Sequence, residues 1–100
     1  MLFRTGWNSL WKGYTQAPEQ REKDHAELNA GEPGVSLEVC DYLATRKIAM
    51  IGSDTWGGEP MDPSKDPLES FASCHRNRIV RRGMSNCDNL DLDVLSQEKV

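Results

Sequence analysis

The sequence predicts an α/β chain that forms part of a mixed sheet with two main helices. Apolar residues from Leu37 to Ala44 recur at helical spacing. Ile48 to Ile51 is a short apolar run, typical of a strand buried on both faces, and the Gly/Pro-rich stretch 52–70 excludes a long regular element. With 100 residues and 37% hydrophobic content, the chain can bury only a small core, so we expect a single partial domain over 1–100.

The first third of the chain is predicted to hold little regular structure. Met1 to Arg4 is apolar enough to form a strand that runs into a loop at Thr5-Gly6-Trp7. Residues 12–33 are mostly polar and lack apolar periodicity, so we expect a surface excursion with at most a short helical turn within 19–28.

The later helices are predicted from residues that are typical of helix ends. Ser36 provides an N-cap hydroxyl for the first main helix. The second main helix is predicted over Phe71 to Arg82, ending at Gly83, which can adopt the left-handed conformation. Met84 to Cys87 predicts a weak strand, and Asp88 to Leu92 a turn.

Charge and hydropathy exclude two classes of partner. The net charge is -4, and the arginines between residues 76 and 82 are offset by acids and expected on a solvated helix face, so we expect no nucleic-acid binding. No run approaches the roughly 18 apolar residues of a membrane span, and residues 1–10 lack the apolar region of a secretory signal. We therefore expect a cytoplasmic protein that does not contact a membrane.

The cysteines are Cys40, Cys74 and Cys87, an odd number without C-x-x-C spacing. Buried free thiols are the favoured interpretation for a chain in the cytosol. A structural zinc site of Cys74, His75 and Cys87 is the less favoured alternative, because such sites usually use four ligands in tighter pairs.

Five short segments occur in a recognisable order. They are Arg4-Thr5-Gly6-Trp7, Gly31-Glu32-Pro33-Gly34, Gly52-Ser53-Asp54-Thr55-Trp56-Gly57, His75 to Gly83, and Asp88-Asn89-Leu90-Asp91-Leu92. Together they resemble the C-terminal half of the cyclase family, which includes kynurenine formamidase and isatin hydrolase. The resemblance is strongest over 31–92, and the order and spacing of the segments make it more specific than any one of them.

The resemblance implies an α/β fold with a barrel-like mixed sheet and hydrolysis of amide-type C–N bonds with a divalent metal, zinc or manganese. The family's main ligand motif, H-x-G-T-H-x-D, is absent here. The later ligand positions map onto His75 and Asp88, so these two residues are the predicted metal ligands. Asp88 stands where members typically carry glutamate, and its side chain is one methylene shorter.

Other candidate residues have weaker signals. Trp7 and Trp56 are candidates for lining a pocket for an aromatic amide, although large aromatic residues more often anchor a core or an interface. Asp54 follows a buried strand and is expected to hold the loop through backbone N–H bonds. His25 is expected to be solvated, and we assign no catalytic residue.

The sequence therefore predicts a C-terminal fragment of a metal-dependent, arylformamidase-like hydrolase that is inactive alone. The alternative is a non-catalytic interaction module or pseudoenzyme derived from the same family. The expected partners are a second copy of the chain or a complementary N-terminal chain, because a partial sheet leaves exposed edges.

Overall fold

The helices and strands of this protein alternate along the chain. A computed structural model describes residues 1–15, 17–65 and 72–98. The α/β class is confirmed. The elements are β1 (Leu2–Phe3), a 3-10 helix (Trp7–Thr15), α1 (Pro18–Ala30), α2 (Leu37–Thr45), β2 (Met50–Ser53), α3 (Ala72–His75), a π-helical segment (Arg76–Arg81), β3 (Ser85–Cys87) and α4 (Asp93–Gln97).

The three strands form one sheet in the order β1-β2-β3. Both pairings are parallel, with Leu2 opposite Gly52 and Met50 opposite Ser85. Antiparallel pairing occurs at an isolated bridge between Glu32 and Met61. Because all three strands run the same way, the segments that follow them leave from one edge of the sheet.

A small core lies where α2 packs beside the sheet. Ile51 in the central strand is fully buried, and α2 buries Cys40 and Leu43. Phe3, Ala44 and Ile48 pack around this centre. The core cluster comprises Val35, Cys40, Leu43, Ile51, Cys74 and Met84.

Helix α2 forms as predicted. The Ser36 hydroxyl accepts a hydrogen bond from the Val39 N–H at 3.4 Å, which satisfies one of the donors left open at a helix start. The chain turns out of the helix through Lys47, whose φ is +55°. This turn feeds β2 at Met50, two residues later than the predicted strand start.

Helix α1 is longer than the predicted helical turn. Pro18 sits in its first turn, where a missing N–H does no harm, and Glu19 favours the positive end of the helix dipole. The interior is rich in Glu, Gln, Lys, Arg and Ala, which are strong helix formers. The buried residue of α1 is Asp24, so the helix has no buried apolar face and its sequence shows no apolar periodicity. None of the described helices is long and apolar enough to cross a membrane.

The second main helix is confirmed, although it is irregular. One α-helical turn, Ala72–His75, continues into the π-helical segment Arg76–Arg81; the predicted first residue, Phe71, lies outside the described residues. Gly83 ends the helix with φ +66°, as predicted, and its N–H donates to the Ile79 carbonyl at 3.1 Å.

The expectation of three free thiols is wrong. Cys40 and Cys74 form a disulfide, with their Cα atoms 6.6 Å apart, and Cys87 is free. The packing of α2 against α3 brings together two residues that are 34 positions apart, a pairing that spacing alone does not reveal. The alternative zinc site is also wrong, because Cys74 has no thiolate to offer a metal ion.

Candidate functional site

Five polar side chains gather at the edge of the sheet where the chain leaves β2 and β3. We call them the polar cluster: Glu59, His75, Arg78, Asn86 and Asp88. Glu59 follows β2, whereas His75 and Arg78 belong to the helical stretch before β3. Asn86 lies within β3 and Asp88 directly follows it. The carboxyl ends of neighbouring parallel strands meet at one edge, where α/β proteins tend to bind ligands.

His75 is oriented by Glu59. The Nδ1 atom of the imidazole is hydrogen-bonded to Oε1 of Glu59, whose side chain is 1% exposed. The other carboxylate oxygen, Oε2, accepts the backbone N–H of Cys74 at 2.8 Å. A buried carboxylate beside Nδ1 favours the tautomer that carries its proton there. Nε2 lies on the opposite side of the ring.

Asp88 lies on that opposite side. Its Oδ2 atom is 3.8 Å from Nε2 of His75, so the structure brings the two predicted ligands together. The amide nitrogen of Asn86 donates to both oxygens of Asp88, at 2.7 and 2.6 Å, and lies 3.4 Å from Nε2 of His75. Asn86 therefore orients the carboxylate toward the imidazole.

Arg78 is the exception to the expected solvated arginine face. Its side chain is 1% exposed, whereas Arg76, Arg81 and Arg82 are exposed. Its Nη2 atom lies 3.4 Å from both the Gly57 carbonyl oxygen and Nδ1 of His75. Among the described residues, its Nε and Nη1 atoms have no hydrogen-bond partner. Burial lowers the pKa of the Arg78 guanidinium, while the charges of Glu59 and then Asp88 act in the opposite direction.

Two glycines allow the backbone to approach the polar cluster. A Cβ on Gly34 would lie less than 3.0 Å from the backbone of Glu59, so only glycine fits there. Gly58 has φ +63°, and a Cβ at this position would lie 3.0 Å from Oδ1 of Asp88. The Gly31-Glu32-Pro33-Gly34 turn thus packs directly against the segment that carries Glu59.

Asp54 ties the loop after β1 to the loop after β2. Its Oδ1 atom accepts hydrogen bonds from the N–H and the hydroxyl of Thr5, at 2.8 and 2.9 Å. Its Oδ2 atom accepts the N–H of Gly6 at 2.7 Å. Asp54 is 1% exposed, and these three donors satisfy its buried charge.

Glu32 holds the other side of the loop after β2. Its two oxygens accept the backbone N–H groups of Trp56, at 2.9 Å, and Gly57, at 2.7 Å. Burial raises the pKa of the Glu32 carboxyl, and these two hydrogen bonds oppose part of the rise. Glu32 and Asp54 therefore fix the course of the segment that leads to Glu59.

A cleft of about 630 Å³ opens beside this loop. Trp56 lines it and is 52% exposed, whereas its role in a substrate pocket stays a prediction. Trp7 does not line this cleft; its backbone N–H donates to the hydroxyl of Thr5 at 3.1 Å. The other apolar lining residues are Trp11, Leu28, Met61 and Pro63, and Lys65 adds a cation.

His75 and Asp88 provide part of the ligand set that a divalent cation needs. A neutral imidazole and a carboxylate are suitable ligands for zinc or manganese, and a ligating histidine commonly donates its other N–H to a carboxylate, as His75 does to Glu59. Nε2 of His75 and Oδ2 of Asp88, which are 3.8 Å apart, would be the two atoms that hold the cation. No group of three or more His, Cys, Asp or Glu side chains within the described ranges is arranged to hold a metal ion.

The sequence patterns do not reveal Glu59, Arg78 or Asn86. Glu59 lies in the Gly-rich loop 16 residues before His75, and no helical or strand period links the two. Arg78 falls within the predicted solvated face of its exposed neighbours, although a position three residues after His75 on a helix shares the face of His75. Asn86 weakens the strand pattern, and its place two residues before Asp88 is the signal that could have identified it.

The Cyclase family model, described as "Putative cyclase", matches residues 1–60. This match covers more than half of the chain, and the chain therefore belongs to the cyclase family. The matched part includes Asp54 and Glu59, whereas the other four members of the polar cluster lie beyond it. Neither the curated proteins nor the solved structures yielded a match.

Proposed function

We propose that this chain contributes His75 and Asp88 to a divalent-metal centre of a cyclase-family hydrolase that cleaves amide-type C–N bonds. The observation that carries the proposal is the orientation of His75. Its Nδ1 atom is bound to the buried carboxylate of Glu59, and its Nε2 atom lies 3.8 Å from Asp88. One imidazole and one carboxylate that lie this close together can provide part of a metal centre.

Zinc or manganese, when bound, supplies Lewis-acid polarisation of the scissile carbonyl and a bound water of lowered pKa. The residues of this chain have supporting parts in that chemistry. Glu59 holds the imidazole of His75 in one orientation, and Asn86 holds the carboxylate of Asp88. The residues that line the cleft beside Trp56 do not include the polar cluster, and we propose this cleft as the place for an aromatic group on the acyl or amine side of the bond.

The proposed centre needs further ligands, because catalytic zinc sites commonly use three protein ligands. We propose that they come from residues outside those described here, on a complementary N-terminal chain or on a second copy. Mixing this chain with such an N-terminal segment should then produce tighter metal binding than either shows alone, and formamide hydrolysis that neither shows alone. Mixtures that gain neither property would contradict this part of the proposal.

Calorimetric titration of the chain with Zn²⁺ and with Mn²⁺ tests the ligand assignment. We expect weak 1:1 binding that His75→Ala abolishes and Asp88→Asn reduces by at least tenfold, because each change removes one of two ligands. His25→Ala is the matched control, since His25 is exposed on α1 and outside the polar cluster. Equal binding by wild-type and His75→Ala protein would refute the assignment.

A non-catalytic interaction module is the second candidate. Asn86 donates to both oxygens of Asp88, so this carboxylate is already paired without a metal ion. For such a module, the midpoint of thermal unfolding should be the same with and without zinc or manganese. A rise of this midpoint in metal that His75→Ala abolishes would favour the hydrolase instead.

A further inference from the structure

The guanidinium of Arg78 is buried inside the polar cluster. A buried charge is costly unless it is paired or balanced by nearby charge, and Arg78 is 1% exposed with two nitrogen atoms unpartnered among the described residues. The carboxylates whose charges act on it are Glu59 and Asp88. Burial, which lowers the pKa of the guanidinium, has a larger effect than these two charges, so the carboxylates offset part of the cost of burying it.

The same carboxylates surround His75. Glu59 binds Nδ1 and Asp88 lies near Nε2, while Nη2 of Arg78 is 3.4 Å from Nδ1. Nη1 of Arg78 and Oδ1 of Asp88 both border the Cβ position of Gly58, at 3.4 and 3.0 Å. The Arg78 guanidinium thus places a positive charge beside the carboxylates of Glu59 and Asp88. A divalent cation at His75 and Asp88 would interact with the same two carboxylates.

We propose that Arg78 is an internal counter-cation that limits the affinity of the His75–Asp88 pair for divalent cations. The inference rests on the proposed function, since it assumes that these two residues bind metal. Like charges repel strongly where water is largely excluded, so the guanidinium opposes an incoming dication. Within the described residues, Arg78 has no contact with Nε2 of His75 or Oδ2 of Asp88. It therefore sets the affinity for the cation through its charge.

The test compares Arg78→Met, Arg78→Lys and wild-type protein by calorimetric titration with Zn²⁺ and with Mn²⁺. Methionine removes the charge and keeps a long side chain, whereas lysine keeps the charge and loses the planar fork. We expect Arg78→Met to bind roughly tenfold to a hundredfold more tightly than wild type, and Arg78→Lys to bind within about threefold of it. Arg76→Met is the matched control, because Arg76 is an exposed arginine of the same helix.

Arg78→Gln provides a second neutral variant if Arg78→Met does not fold, as judged by its unfolding transition. Tightening in a neutral variant that His75→Ala reverses would support the inference. Equal affinities for Arg78→Met and Arg76→Met, or equal tightening in Arg78→Lys, would overturn it while the proposed function stands. Absence of His75-dependent binding in both wild type and Arg78→Met would overturn the proposed function as well.

Discussion

Glu32 is a half-buried carboxylate that accepts two backbone hydrogen bonds from the loop that leads to the polar cluster. Burial raises its pKa above the ordinary value of 4.5. A group whose folded-state pKa is raised contributes stability that is fully present below the unfolded-state pKa. That contribution is lost as the pH rises through the folded-state value.

The first prediction concerns Glu32→Gln. The advantage of wild type over this variant in free energy of unfolding should be largest below pH 4.5 and should shrink as the pH rises through the raised pKa. Because solvent screens a half-buried carboxylate, the decrease should be at most about 1.4 kcal/mol for each pH unit that separates the folded-state pKa from the unfolded-state pKa. Urea unfolding of both proteins at several pH values measures this difference. Ser9→Ala, which changes no ionisable group, is the control, and a difference that does not vary with pH would contradict the prediction.

At the scale of single residues, the two ligands predicted from the sequence, His75 and Asp88, lie 3.8 Å apart, and Trp56 lines a cleft. Their roles as ligands and as a substrate pocket stay predictions. A short motif can predict which residues are ligands, but it does not predict which side chains orient those ligands. Glu59 could not be found in this way, because its contact with His75 depends on how the loop after β2 folds back.

Two loop segments make a close backbone contact beside the polar cluster. Gly34 lies against the backbone of Glu59, and the N–H of Val35 donates to the carbonyl of Gly58 at 3.0 Å. A side chain at position 34 would push the Glu59 segment away from the helix that carries His75. The turn 31–34 is therefore part of the support of the polar cluster.

The second prediction is that Gly34→Ala lowers the free energy of unfolding by roughly 1–3 kcal/mol or more, because the added methyl group overlaps the Glu59 backbone. Gly6→Ala is the matched control: Gly6 has φ +85° but no atom within 4 Å of its Cβ position, so it reports backbone strain alone. Urea unfolding measures both. A smaller loss for Gly34→Ala than for Gly6→Ala would be inconsistent with the contact described.

At the scale of elements, periodicity and caps predicted α2 and the end of the helix at Gly83. These signals underestimated the length of α1, because an exposed helix is stabilised by the helix propensity of its residues and shows little apolar periodicity. The π-helical turn of Arg76–Arg81 left no trace in the sequence pattern, because it is set by packing against the neighbouring elements.

Across the whole molecule, the sheet has two outer strands, β1 and β3, each paired on one side within the described residues. Unpaired strand edges favour association with another chain. Apolar side chains near them are partly exposed, including Leu2 at 45% and Met50 at 41%. The proposed partner, a second copy or a complementary chain, would cover these edges.

The third prediction is that light scattering after size-exclusion chromatography shows an average mass above that of a monomer, increasing with protein concentration. Leu2→Lys should shift the protein toward monomer, because a lysine on an edge strand disfavours strand pairing. Val94→Lys is the control, since Val94 is 70% exposed and belongs to α4 rather than to a strand. A monomer at every concentration would argue against edge-mediated association.

The α/β class was predictable from composition and from alternating helix and strand signals, whereas the covalent link between Cys40 and Cys74 was not. That disulfide closes a ring of peptide which contains β2 and the exposed Lys65. A protease that cuts once beside Lys65 would open the ring without releasing a fragment. The nicked molecule would remain in one piece until a reductant separates the segment bearing His75 from the segment bearing Glu59.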